Sequence, residues 1–142
     1  MRMLRTLLFT LGLLLCAGAV PAADGPVKAV YDLMEGQAQA SRALSNIRNH
    51  LDADPTVKIV VVAHGAGIDF LLEGALDARG QPFAGPIAEL ANRGVQFRVC
   101  NNTLVSRGIP KSQVAMEASV VPSGVAELAR LQAREGYAYL RP

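Results

Sequence analysis

Apolar positions along this chain recur at two alternating spacings, and the switches between them lay out its elements. From Val27 to Met34, β-branched and aromatic residues among apolar neighbours predict a strand. Between Gln37 and Leu51 the period lengthens: Ala40, Ala43, Leu44, Ile47 and Leu51 recur at helical spacing, with Arg42, Asn46, Arg48 and Asn49 elsewhere on the wheel. Asp54-Pro55 interrupts that helix, and Val57 to Ala63 follows as a near-continuous apolar run. Such a run suits a strand covered on both faces, as in a parallel sheet. After His64-Gly65-Ala66-Gly67 the pattern predicts a short helix over Ile68 to Glu73 and a loop through Asp77 to Gly80. A further helix has Pro86 near its first turn, Ile87, Leu90 and Ala91 on one face, and Gly94 placed to cap its end.

Strict alternation returns at Val95 to Cys100. Val95, Phe97 and Val99 project one way, Gln96, Arg98 and Cys100 the other, which predicts a strand with two unlike faces. Asn101 or Asn102 is positioned to cap a short helix running through Arg107, stopped by Gly108 and Pro110. A fourth strand is expected at Ala118 to Val121. Ser123 then caps a helix that turns Val125, Leu128, Ala129 and Leu131 to the core and stops at Gly136, and Tyr137 to Leu140 reads as a fifth strand. Strands alternating with helices imply a mainly parallel sheet with helices on its faces, connected by right-handed crossovers. The fold class is α/β, and ligand sites are expected beyond the carboxyl ends of the strands.

The N-terminus departs from this rhythm. Arg2 and Arg5 precede an uncharged apolar run from Thr6 to Val20, and Val20-Pro21-Ala22 supplies compact residues. That layout predicts residues 1–22 as a cleavable signal peptide, cut after Ala22 or Ala23, and residues 23–142 as one exported domain, hence periplasmic. The run ends short of the ~20 apolar residues a membrane span needs, so no membrane association is expected after cleavage. Leu15 is too bulky for lipid attachment at Cys16. Export also changes the charge: the whole chain has 14 basic and 12 acidic residues, and losing Arg2 and Arg5 makes the mature domain neutral. A neutral domain gives no electrostatic reason to bind nucleic acid.

Cys16 leaves with the signal, so Cys100 becomes the sole cysteine, free of any intramolecular disulfide. Its place at a strand end, just before a helix, offers backbone N–H groups that favour the thiolate, the nucleophilic form. An inert, packed thiol is the competing reading. His64, at the end of the preceding strand, is a candidate to hold or pass a proton for Cys100, or else a hydrogen-bonded structural residue. Asn101, Asn102 and Thr103 supply donors beside the thiol. Gly65 and Ser123 begin turns on the same rim, where their amides are able to contribute. His50 reads as a favourable charge at a helix end or a solvated side chain. Gly65-Ala66-Gly67 lacks the third glycine of a dinucleotide site, since Phe70 stands there, and a tight turn accounts for it better. One mature cysteine and two separated histidines give no metal-ligand spacing, and no cofactor is expected.

Three segments carry a likeness: Val60-Val-Val-Ala-His-Gly65, Gly94-Val-Gln-Phe-Arg-Val-Cys-Asn-Asn-Thr-Leu104, and the run from Val121 to Leu140. Together they resemble the DsrE/DsrF-like proteins, from about Val27 onward. The resemblance implies a three-layer α/β/α domain with a five-stranded parallel sheet, assembled as a trimer or hexamer. It implies further that Cys100 matches the cysteine that carries persulfide sulfur in the family's sulfur-relay members, so that the partners are a sulfur donor and a thiol acceptor, protein or small molecule. The family's strand order puts the topological switch beside the first strand rather than between the His64 and Cys100 strands. A sulfurtransferase-like carrier is the leading function, a non-catalytic oligomeric small-ligand-binding module the alternative, and a purely structural role, with a neighbouring subunit filling the rim, the third.

Overall fold

The computed structural model describes residues 25–142; the expected signal peptide, Cys16 and the cleavage site lie outside them. The elements alternate as the apolar spacing predicts: β1 (Lys28–Leu33), α1 (Gln37–Ala53), β2 (Lys58–Ala63), a 3₁₀ segment (Gly65–Leu71), α2 (Ala84–Asn92), β3 (Gln96–Cys100), α3 (Asn101–Ser106), β4 (Ala118–Val121), α4 (Gly124–Glu135) and β5 (Ala138–Leu140). The five strands form one parallel sheet in the order β4-β3-β2-β1-β5. Among the described residues no helix is long and apolar enough to cross a membrane.

This order places the helices. From β1 to β4 the chain steps across the sheet in one direction, so right-handed crossovers stack their connections on one face. That face holds the larger core, where Ala43, Leu44 and Ile47 of α1, Ile87 and Leu90 of α2, and Leu104 of α3 meet Ala29, Leu33, Val61, Phe97 and Val99. Phe70 of the 3₁₀ segment packs edge-on against Phe83 and Phe97, at centroid distances of 5.8 and 6.3 Å, a preferred aromatic geometry. After β4 the direction reverses, and α4 returns over the opposite face to deliver β5 beside β1. There Leu128 and Leu131 cover only Val30, Val60 and Val62, with Tyr137 at the margin. The reversal between β1 and β5 is the topological switch, beside the first strand as the resemblance implied.

Three local expectations need correction. Val125 and Ala129 do not face the core: Val125 is 63% exposed, and the seam of α4 is just Leu128 and Leu131 with Gly124 at its start. With only a three-strand width to cover, α4 buries a narrower stripe than its apolar content suggests. The short helix expected from Ile68 to Glu73 begins earlier, as a 3₁₀ segment at Gly65. Its start follows from two glycines: Gly65 adopts φ 55°, and a Cβ on Gly67 would lie 2.0 Å from the Leu33 carbonyl oxygen. Both are fixed by backbone approach, the tight-turn role expected of them. Finally, neither Asn101 nor Asn102 caps α3, because Cys100 itself is the N-cap residue.

Candidate functional site

The parallel register brings the candidate residues to one edge. β1, β2 and β3 end together, since Leu33 pairs with Ala63 and Ala63 with Val99, so His64 and Cys100 emerge from neighbouring strand ends. Period-2 alternation puts Asp32, Val62, Arg98 and Cys100 on the α4 side of the sheet. The start of α4 descends onto that corner. Ser123 is its N-cap, its Oγ accepting from the Ala126 N–H at 3.4 Å, and Gly124 follows. Gly124 keeps this corner close: a Cβ there would crowd it, 3.0 Å from the His64 Cβ and 3.3 Å from the Cys100 Cβ. His64 and Cys100 thus flank the same glycine.

Cys100 is 5% exposed and free. Burial alone would raise its thiol, yet hydrogen bonds outweigh it: the Gly124 N–H, the Thr103 hydroxyl and N–H, and the Asn102 N–H hold the thiol below its ordinary value. Two helix starts therefore converge on one sulfur, α3 in sequence with it and α4 from across the sheet. The Thr103 Oγ1 also accepts from the Gly65 N–H at 3.0 Å, which leaves its hydrogen free for the sulfur. The Gly65 carbonyl accepts from Arg107 at 3.2 Å, and Arg107 pairs with Asp69 at 2.7 Å, which ties α3 to the 3₁₀ segment. Asn101 is half-buried and Asn102 exposed, and their side chains make no hydrogen bond among the described residues. Asn102 acts through its backbone.

His64 makes no direct hydrogen bond to the thiol. Its Nε2 lies 2.9 Å from Asp32 Oδ1, and Asp32 Oδ2 accepts from the Tyr139 hydroxyl at 2.6 Å. Neither Asp32 nor Tyr139 is among the residues expected at this rim from the sequence. Asp32 left a signal, as the one acid inside an apolar strand, near its carboxyl end; Tyr139 left none, because only the return of α4 sets β5 beside β1. Two residues before Cys100, Arg98 pairs with Glu127, which also binds Arg130 at 2.8 Å. Those two guanidinium groups, Arg130 foremost, hold the Glu127 carboxyl below the usual carboxylate range. His50 lies elsewhere, at the end of α1, with its Nδ1 3.0 Å from the Tyr31 hydroxyl.

An apolar cleft of about 350 Å³ opens on the α2 side, between Phe70, Leu72, Ala75, Ile87, Ala115 and Met116, and no candidate residue lines it. Among the described residues no group of three or more His, Cys, Asp or Glu is arranged to hold a metal ion.

Comparison with known proteins agrees with this architecture. Residues 28–142 match the model of the DsrE/DsrF-like family. Among solved structures, the chain is similar to MTH1491 from Methanobacterium thermoautotrophicum, a protein described as of unknown function: identity is 32%, 82% of this chain and 99% of that one are covered, and the TM-score is 0.72. It is also similar to the ychN protein of E. coli, at 14% identity, 83% and 99% coverage and a TM-score of 0.61, a likeness of fold alone. No curated protein matches the chain.

Proposed function

Because the chain belongs to the DsrE/DsrF-like family, we propose that it is a periplasmic sulfur carrier, sulfurtransferase-like, in which Cys100 accepts and passes on persulfide sulfur. The observation that carries this reading is the set of donors around the sulfur: three backbone N–H groups and the Thr103 hydroxyl favour the thiolate even in a buried place. The resting thiolate attacks the outer sulfur of a donor persulfide R–S–SH. A bond forms between Sγ and that sulfur, the donor S–S bond breaks, and its electron pair leaves on R–S⁻, which takes up a proton and departs as R–SH. The sulfane sulfur keeps its oxidation level, so no external oxidant or reductant is needed. Attack by an acceptor thiolate reverses the step. His64, flanking the same glycine as Cys100, is the proton carrier of this reading. The signal-peptide layout of residues 1–22 supports export, and homo-oligomer assembly is the expected working form.

Mass spectrometry of the mature protein, before and after incubation with inorganic polysulfide, tests the proposal. A sulfur adduct on Cys100, absent in Cys100→Ser, is the expected result; no adduct under either condition overturns it.

One observation favours a second reading, a non-catalytic binding module of the same fold: Cys100 is only 5% exposed and lines none of the clefts described. Iodoacetamide separates the two. Alkylation of the folded protein no faster than global unfolding supports a packed thiol, whereas alkylation well ahead of unfolding supports the carrier.

A further inference from the structure

Asp32 is 5% exposed and is the one acid in β1, among Lys28, Ala29, Val30, Tyr31 and Leu33. Burying a carboxylate is costly unless its oxygens are satisfied. Here each oxygen has one partner: Oδ1 faces His64 Nε2 at 2.9 Å, and Oδ2 accepts from the Tyr139 hydroxyl at 2.6 Å. Three strands supply this chain of groups, β5 to β1 to the end of β2, and it stops beside the glycine that also touches Cys100.

Its chemistry fixes the histidine. A carboxylate accepts hydrogen bonds and donates none, so Nε2 carries the hydrogen and Nδ1 is left to exchange a proton. Nδ1 is bonded to Cγ, which lies 3.4 Å from where a Gly124 Cβ would stand, and the Cys100 Cβ lies 3.3 Å from the same point. Tyr139 remains a donor through the working pH range, since its hydrogen bond to Asp32, with some help from burial, raises its phenol above the ordinary value. The same logic orients histidines held by carboxylates in metal sites and hydrolytic triads.

We propose that Asp32 and Tyr139 are positioning residues that bind His64 through Nε2–H and so reserve Nδ1 for proton exchange: the imidazolium gives its Nδ1 proton to the departing thiolate during sulfur loading of Cys100 and is left as the neutral Nε2–H tautomer. The role in loading rests on the carrier function proposed above; the tautomer does not. No new reactant enters: the proton that His64 gives to R–S⁻ is regained from water before the next cycle. Tyr139 makes the C-terminal strand a working part of the rim, because its hydroxyl satisfies the oxygen of Asp32 that His64 leaves free.

Two readouts on the full mature chain test this. In ¹⁵N-histidine-labelled protein, two-bond ¹H–¹⁵N correlations report which ring nitrogen is protonated, and His50, bound to Tyr31 at the far end of α1, is an internal control. Neutral His64 is expected as Nε2–H in the wild type and shifted toward Nδ1–H in Asp32→Asn, with His50 unchanged. In parallel, polysulfide loading should slow about ten-fold or more in Asp32→Asn and about three-fold in Tyr139→Phe, while iodoacetamide alkylation of Cys100, which needs no proton donor, stays within about two-fold of wild type. An unchanged His64 tautomer in Asp32→Asn, or loading and alkylation that fall together, overturns the proposal. If Asp32→Asn does not fold, Tyr139→Phe decides it: slowed loading with normal alkylation supports positioning, and wild-type loading overturns it. If wild-type protein takes up no sulfur at all, the carrier reading fails, and the tautomer of His64 alone decides whether Asp32 positions it.

Discussion

The two faces of the sheet are built on different terms. The face under α1 and α2 is continuous apolar packing, from Ala29 and Leu33 through Val61 to Phe97, with the Phe70, Phe83 and Phe97 rings interlocked above it. The face under α4 packs five side chains and then gives way to Asp32, His64, Arg98 and Cys100 toward the carboxyl ends of the strands. One helix crossing that face leaves corners that apolar residues do not fill, and polar groups occupy them in satisfied pairs. Stability and chemistry are thereby separated by one thickness of sheet, which allows the second to be altered at small cost to the first.

The sharpest way to break the comparison is from the apolar side. Phe97→Ala removes a ring that is 1% exposed and should cost about 3–5 kcal/mol, read as a fall in the urea midpoint. The pH dependence of Cys100 alkylation should not move in the fraction that stays folded, although Phe97 lies three residues from the thiol. A shifted thiol titration would show that the faces are not independent.

Thr103→Val acts from the other side. It deletes one donor to the sulfur and the acceptor of the Gly65 N–H. The expected loss of stability is about 1 kcal/mol, and the thiol should titrate at higher pH, seen as slower alkylation at neutral pH. Linkage gives a companion test of the wild type. Because the folded thiol lies below its unfolded value of about 8.5, the unfolded chain holds the extra proton between the two values, and stability rises with pH through that window. The contribution is complete above the unfolded value and lost as pH falls through the folded one. Denaturation of wild type and Cys100→Ser across pH 5 to 9 should therefore show a difference that grows with pH, and a flat difference would mean that the amides do not hold the thiolate.

Smallest of all, Ser123→Ala removes the cap of α4 and should cost about 1 kcal/mol or less, measured by thermal unfolding. Since Ser123 precedes Gly124, a small rise in the thiol titration should accompany it. Loss of stability with an unmoved thiol would show that the helix start is held by its packing and not by its cap.

Much of this molecule was legible because it is local. The strand and helix bounds follow apolar spacing to within a few residues, and Ser123 and Gly136, at φ 71°, cap α4 as their residue types predict. Two failures were also local in origin. Propensity favours an asparagine cap for α3, but the chain enters that helix directly from β3, so Cys100 takes the position. Apolarity alone points Val125 and Ala129 to the core, whereas the width of sheet beneath α4 has room only for Leu128 and Leu131.

By itself the sequence determined the alternation of elements, the helix ends at Ser123 and Gly136, the glycine turn after β2 and the placing of Cys100 at a strand end, because each depends on neighbours a few residues away. Only the tertiary structure decided that α4 returns over the opposite face, that Gly124 offers its N–H to a thiol 24 positions earlier in the numbering of the chain, and that Tyr139 and His64 share the carboxylate of Asp32. Those contacts join residues far apart along the chain, and they come from parallel register and a reversed crossover, which no local spacing encodes.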